Sequence, residues 1–382
     1  MQRALPFDRK TEAGRELSEA ERLDWLRLIR TPQVGPATFR DLLARFGSAS
    51  AAIEALPSLV SRGARGGMSI PSRTDVEREL AALRKHGAGI IASPEPGYPR
   101  YLAQADAPPP LLTVWGDAAV LDRPPVAIVG ARNASLAGMK FARRLASDLG
   151  GMGFAVVSGL ARGIDAAAHQ GSLATGTVAV LAGGLNRPYP PDNVELCREI
   201  AARGGAAVSE MPFDWEPRAQ DFPRRNRIIA GLSLGLVVVE AAHRSGSLIS
   251  ARLAGEMGRL VFAVPGSPLD PRAAGTNALL KDGAILVTQA EDVAELLAPQ
   301  IGSRPPLPKA AEEPPALAFE EAEDDEREAL ARLLGPTPVS TDDLVSHSGL
   351  TAGRVAAILL ELDLAGRLER HPGGAVSGLP PP

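Results

Sequence analysis

The stretch Val126–Gly138, VAIVGARNASLAG, decides the fold. A four-residue apolar run stops at Gly130, a short polar turn follows, and GMKFARRLASDLG continues with apolar residues at helical spacing. The run is too short for a helix and lacks the alternation of a half-buried strand. It therefore predicts a strand buried on both faces. The same texture recurs in FAVVSG, TVAVLAG, AAVSE, LGLVVVE, LVFAVPG and AILV, with helix-like segments between them. Such alternation predicts an α/β fold with an extended Rossmann-like, doubly wound, mostly parallel sheet over residues 71–300. In these sheets ligands sit beyond the carboxyl ends of the strands, where the strand order reverses. Every Gly/Ser-rich turn here follows a strand, so all of them converge on that edge.

Upstream, residues 21–70 predict a helical module. ERLDWLRLIR places Leu23, Leu26, Leu28 and Ile29 on one helical face. Gly35-Pro36 then makes a turn into a helix carrying Phe39, Leu42, Leu43 and Phe46, stopped by Gly47. Helix, V-G-P turn and helix look like a SAM or helix-hairpin-helix module, whose turn amides can hold a phosphate. A plain helical cap fits the same pattern. TDVERELAALRKHG predicts a helix closed by Gly87, and GAGIIA and Leu111–Trp115 predict two further strands. Residues 1–20 read as a disordered lead-in without the apolar segment of a secretory signal. Residues 301–325 read as an acidic, Pro-rich linker, and 326–382 as a helix-turn-helix with a two-stranded wing, a winged helix. Its second helix is the groove reader in DNA-binding versions, but here it offers Arg354 with Glu361 and Asp363. A protein-interaction domain and a degenerate DNA reader both remain open.

Bulk properties narrow the class. The 382 residues carry net charge −4, which argues superficially against nucleic acid. Residues 303–330 hold nine acids and three bases, a local −6, so the remainder is about +2. Local patches, and not the total, govern nucleic-acid binding. No apolar run is long enough to span a membrane, and the reading is a cytoplasmic protein with no membrane partner. The single cysteine, Cys197, excludes an internal disulfide and a multi-cysteine metal site, and reads as apolar filler. No metal and no cofactor are expected.

Four constellations carry the chemistry. In Gly130–Ser135, the helix start with Arg132 and Ser135 beside it predicts an anion site. The run lacks both the G-x-G-x-x-G dinucleotide fingerprint and a Walker A lysine. In SGLARGIDAAAHQG, a strand ends at Ser158-Gly159 and a loop carries Arg162, Asp165 and His169. Asp165 and His169 stand four apart, and a hydrogen-bonded loop lock is the reading preferred over an acid/base pair, since no nucleophile accompanies them. FPRRNRIIAGLS crowds Arg224, Arg225 and Arg227 around Asn226, after Arg218 and Phe222. Guanidiniums clamp phosphates and aromatic faces stack on bases, a combination suited to single-stranded nucleic acid. The apolar run that follows implies that one of these arginines is buried and paired with Glu210 or Glu240. Ser245-Gly246-Ser247 opens another helix as a second anion nest, and Asn277 and Lys281 add polar groups to the same edge.

GARNAS, SGLARGIDAAAH, AVLAGGLNRPYPPDN, SEMPF, FPRRNRIIAGLS, VVVEAAHRSGSLISA and VFAVPGSP, in this order, resemble the DprA/Smf family of transformation and recombination proteins. The resemblance covers about residues 95–295 and starts at GYPRYL. It implies a non-catalytic protein that binds single-stranded DNA without sequence preference, a homodimer through the Rossmann-like domain, and loading of the RecA recombinase in natural transformation. The family's G-S-R turn corresponds to Gly130-Ala131-Arg132, so Arg132 inherits a DNA contact. The family's Y-P-x-x-N turn often carries a basic residue where this chain has Pro191-Asp192, with Arg187 or Arg218 as candidate replacements. A Rossmann-type nucleotide hydrolase of the lysine-decarboxylase-like group is the main rival, and it lacks its P-G-G-x-G-T-x-x-E loop here. A nicotinamide oxidoreductase lacks its fingerprint, and a transcription regulator rests on the winged helix alone.

Overall fold

The structure is a computed structural model that describes residues 15–61, 69–301 and 322–379. Most of the expected lead-in, the 62–68 part of the Gly/Arg loop and nearly all of the acidic linker lie outside the described residues. The chain divides into two compact units, one made of Met1–Glu16 with Glu79–Pro308, the other of Leu17–Arg78 with Lys309–Pro382.

The amino-terminal module contains α1 (Glu19–Ile29), α2 (Pro36–Phe46) and α3 (Ala49–Ser61). Ser18 and Glu21 cap α1 reciprocally, which satisfies amides that an uncapped helix leaves bare. Pro36 occupies the first position of α2, where its missing N–H costs nothing, and Gly47 closes that helix at φ 74°. Leu26, Leu28, Phe39, Leu42 and Leu56 are buried, and the Trp25 and Phe39 rings meet edge to face at 4.9 Å. Next come α4 (Arg73–Lys85), β1 (Ala88–Ala92), the single turn α5 (Arg100–Ala103) and β2 (Leu111–Gly116).

All seven predicted parallel runs form strands. They are β3 (Pro125–Val129), β4 (Ala155–Ser158), β5 (Thr177–Val180), β6 (Ala206–Ser209), β7 (Gly235–Val238), β8 (Leu260–Ala263) and β9 (Ile285–Leu286). Interleaved helices are α6 (Leu136–Gly151), α7 (Ile164–Ser172), α8 (Val194–Ala202), α9 (Asp221–Leu232), α10 (Gly246–Glu256), α11 (Ala274–Lys281) and α12 (Ala290–Ile301). The sheet order is β1-β2-β6-β5-β4-β3-β7-β8-β9. Strands β6 to β9 in that order pair in parallel, while β1 and β2 extend the sheet antiparallel beyond β6. Order reverses about β3, so the turns after β3 and β7 diverge and leave a crevice between them.

Alternate residues of one strand feed the two sides of the sheet, as the period-2 geometry requires. Val126 and Ile128 of β3 join Leu145, Leu149 and Ile164 on one side. Ala127 and Val129 join Ile228, Ile229 and Ala251 on the other. No helix among the described residues is long and apolar enough to cross a membrane.

The carboxyl-terminal segment has the winged-helix order α13 (Asp324–Leu333), β10 (Val339–Ser340), α14 (Thr341–Ser348), α15 (Ala352–Leu364), β11 (Leu368–Arg370) and β12 (Ala375–Gly378). Its own core holds Leu330, Leu344, Val355, Ile358, Leu359 and Leu368. Leu360 and Leu364 instead join the core of α1–α3. The polar residues expected to face outward on α15 are committed elsewhere. Glu361 is buried under Arg327, whose Nε donates at 2.7 Å, and Asp363 accepts from Arg370 Nε at 2.8 Å.

Candidate nucleic-acid interface

A crevice of about 620 Å³ opens at the switch point, lined by Gly130–Asn133 after β3, Ala242 and Ser245–Ser247 around the start of α10, and Phe222, Arg225 and Asn226 of α9. Two glycines allow the walls to approach. A Cβ at Gly130 would lie 2.6 Å from Ile164 Cγ1, and Gly163, at φ 76°, would bring one to 2.6 Å from the Arg132 carbonyl. The Ile164 N–H donates to Ala131 O at 3.2 Å and ties the two turns together.

Arg132 is exposed in its turn, and its guanidinium lies over the Phe222 ring at 5.3 Å. Tyr189, half exposed, meets the Phe222 ring edge to face, with ring centroids 5.5 Å apart. A cation with two aromatic faces can hold a phosphate and stack a base at the same place. Ser245 caps α10 by accepting from the Ser247 amide, so Gly246 stands in its first turn, where the helix dipole favours an anion. Asn226 Nδ2 reaches Gly246 O at 3.3 Å, and Arg272 joins the lining. Arg132, Phe222, Asn226, Ser245 and Gly246 are thus brought together at one crevice. Tyr189 and Arg272 were missed, since neither stands in a Gly-rich or Arg-rich run.

Other expected contacts are committed to structure. Ser135 donates its amide (2.8 Å) and its hydroxyl (2.5 Å) to Glu240, so an internal carboxylate fills the anion nest at the start of α6. Ser158 is fully buried and donates to Ile128 O at 2.6 Å. Gly159 is buried and offers its carbonyl to Arg225. Arg225 is itself 6% exposed and also donates to Val180 O at 2.6 Å. Burial pulls its pKa down to about 10, against the opposing pull of Asp165. Arg224 and Arg227 converge on the buried Glu210 carboxylate, and Arg227 also donates to Ala107 O at 2.8 Å. One arginine of this cluster was expected to pair inward. In fact Arg225 and Arg227 do so, because α9 lies against the sheet with Ile228, Ile229 and Leu232 in the core, while Arg224 pairs with the same Glu210 from an exposed position.

On the rim, Arg162 pairs with Asp192 at 2.8 Å, both well exposed. Asp192, in the turn that follows Tyr189-Pro190, therefore neutralises a neighbouring arginine. Arg218 is exposed and lies over Trp215 at 4.6 Å. Lys281 is exposed at the end of α11 and does not line the crevice.

Asp165 and His169 form the loop lock, through separate partners. Asp165 accepts the Ala161 N–H at 3.2 Å, and burial raises its pKa. His169 Nδ1 lies 2.8 Å from Thr177 Oγ1, which itself donates to Val156 O. The imidazole must therefore carry its proton on Nδ1, which leaves Nε2 as a buried lone pair without a partner. Burial lowers His169 to about 3 and raises the fully buried Cys197 to about 12, so neither is ionised near neutrality.

Fold and site together define a doubly wound α/β protein with a cationic, aromatic-rimmed crevice at its switch point. Residues 89–298 match the DNA recombination-mediator protein A family, residues 19–82 the DprA-like N-terminal HHH domain, and residues 308–374 the DprA winged helix domain. The chain belongs to the DNA recombination-mediator protein A (DprA/Smf) family. It is 38% identical to protein Smf of Escherichia coli over 325 residues, 83% of this chain and 84% of the relative. It is 41% identical to DNA processing protein DprA of Bacillus subtilis over 223 residues, 58% of this chain and 75% of the relative. The X-ray structure of DprA from Streptococcus pneumoniae superposes with TM-score 0.59 at 32% identity, covering 74% of this chain and 98% of that one. The Helicobacter pylori DNA processing protein A, solved to describe its single-stranded DNA binding mode, gives TM-score 0.51 at 30% identity over 56% of this chain and 96% of that one.

Proposed function

We propose that this protein binds single-stranded DNA without sequence preference along the carboxyl edge of its sheet, protects it, and loads RecA recombinase onto it during transformation and recombination. The observation that carries the reading is the exposed Arg132 guanidinium stacked on Phe222 at the mouth of the crevice. A phosphate bound there by Arg132 and the first turn of α10 would set the adjacent base against Phe222 and Tyr189. No base edge need be read, which accounts for sequence independence. The protein acts in the cytoplasm as a homodimer through the α/β domain, where the exposed Leu269 marks a candidate surface. Two such edges then form a longer track with higher avidity. A non-catalytic role fits the carboxylates at this edge of the sheet. Asp165 faces Arg225, and Glu240 is tied to Ser135, so neither is poised to activate water.

Binding of labelled single- and double-stranded oligonucleotides at several salt concentrations tests the reading. The expected result is tight, salt-sensitive preference for the single strand whatever its sequence. Absence of binding at low salt would overturn it, and turnover of nucleoside monophosphates would favour the hydrolase. RecA loading is checked separately, by whether the protein shortens the lag of RecA assembly on single strands.

A further inference from the structure

We propose that α15 of the winged helix is a protein-docking helix whose occupant is the amino-terminal helical module of the same chain, and not a reader of a DNA groove. Its two faces are both apolar and both covered. Val355, Ile358 and Leu359 fill the winged-helix core. Leu360 and Leu364, four apart on another face, are 0% and 2% exposed in a core shared with Leu28, Phe39 and Leu42. A groove-reading helix keeps its second face polar and cationic, because that face meets phosphates and base edges. Here the face is leucine, and its burial supplies hydrophobic stabilisation that a solvent-facing reader helix would forgo.

A polar frame surrounds the leucines and sets the register. Arg370 of β11 bridges Asp41 of α2 and Asp363 of α15, both at 2.8 Å. Thr38 Oγ1 of α2 donates to the same Asp363 carboxylate at 2.7 Å. The remaining charged residues of α15 are tied within the winged helix, Glu361 to Arg327 and Arg354 to Glu326. Docking also has a consequence for the hairpin. The carboxylate of Asp363 accepts from the Thr38 hydroxyl in the first turn of α2, and Gly366 lies beside Gln33 of the turn before it. A DNA phosphate approaching this end of α2 would have to compete with a carboxylate already held by Thr38 and Arg370, so docking of the winged helix is expected to weaken phosphate binding there.

Hydrogen exchange of the full chain tests the docking, which is independent of where single strands bind. Leu360→Glu places a charge in the shared core and leaves the winged-helix core untouched. Amides of α2 and α3 are expected to exchange at least tenfold faster, with β11, β12 and the large sheet unchanged. If β11 and β12 also lose protection, Arg370→Glu decides instead. It lies in neither core, and α2 and α15 are expected to exchange at least threefold faster, with Arg370→Lys close to the parent. Unchanged α2 rates in Arg370→Glu would overturn the proposal. So would new protection of α15 in the parent on adding duplex DNA.

Discussion

Two arginine-bearing segments meet at the crevice and use their charge in opposite ways. The turn after β3 holds Arg132, exposed and stacked on Phe222. Helix α9 holds Arg224, Arg225 and Arg227, and all three are bound to Glu210 or to backbone carbonyls. By density of charge along the chain α9 looked like the stronger DNA contact. By availability the lone arginine of the turn exceeds it. A helix packed on a sheet points its residues inward every third or fourth position, and a buried guanidinium is stable only with partners. A turn at the end of a strand has no such face to satisfy.

Substitutions can break this contrast, beginning with the largest effect. Arg225→Ala should destabilise the fold by about 3–5 kcal/mol, because it orphans two carbonyls and leaves the Asp165 carboxyl buried without its cation. Urea unfolding checks it, and a loss under 1 kcal/mol would mean that Arg225 is not structural. Arg132→Glu should leave the unfolding midpoint in place and weaken single-strand binding at least tenfold, about 1.4 kcal/mol or more. The slope of log affinity against log salt should flatten by about 0.7 for each phosphate that is no longer neutralised. Equal affinity of this variant and the parent for a poly-dT strand would remove Arg132 from the site.

His169 sharpens the stability side. Its folded pKa of about 3 lies below the ordinary 6.5, so between these values the unfolded chain takes up a proton that the folded chain refuses. Stability should fall as pH drops from 6.5 toward 3, by up to about 1.4 kcal/mol per pH unit. His169→Asn retains a donor for Thr177 and should flatten that decline in urea midpoints measured between pH 7 and 5. The smallest effect concerns the rim. Asp192→Ala releases Arg162 from an exposed pair that contributes roughly 0–1 kcal/mol. Stability should hardly change while single-strand affinity rises about two- to threefold, and a fall in affinity would show that Arg162 takes no part.

How much of this was legible can be judged from particular residues. The strands were readable because each is a short apolar run buried on both faces, and β3 shows it with Val126 and Ile128 on one side and Ala127 and Val129 on the other. Arg132 and Phe222 were legible as residues, and their stacking was not, since they lie on different elements ninety positions apart. Glu240 was read as a candidate partner for an arginine of α9, and nothing local announced that its carboxylate would instead fill the nest at Ser135. The apolar run after the arginines announced that one of them is buried, and its spacing points to Arg225. It stands three, four and seven residues before Ile228, Ile229 and Leu232, and therefore shares the buried face of α9.

The sequence by itself determined the doubly wound sheet, the convergence of its polar turns on one edge, the winged helix and the family. Each of these follows from local periodicity, from glycine placement or from ordered motifs. Only the tertiary structure decided which polar groups remain for a ligand. Partners such as Glu240 for Ser135, Glu210 for Arg224 and Arg227, and Asp192 for Arg162 come from distant strands and turns. A charge in a chain has no fixed partner until the fold brings one within a few ångströms, where desolvation makes pairing obligatory in the interior and optional at the rim.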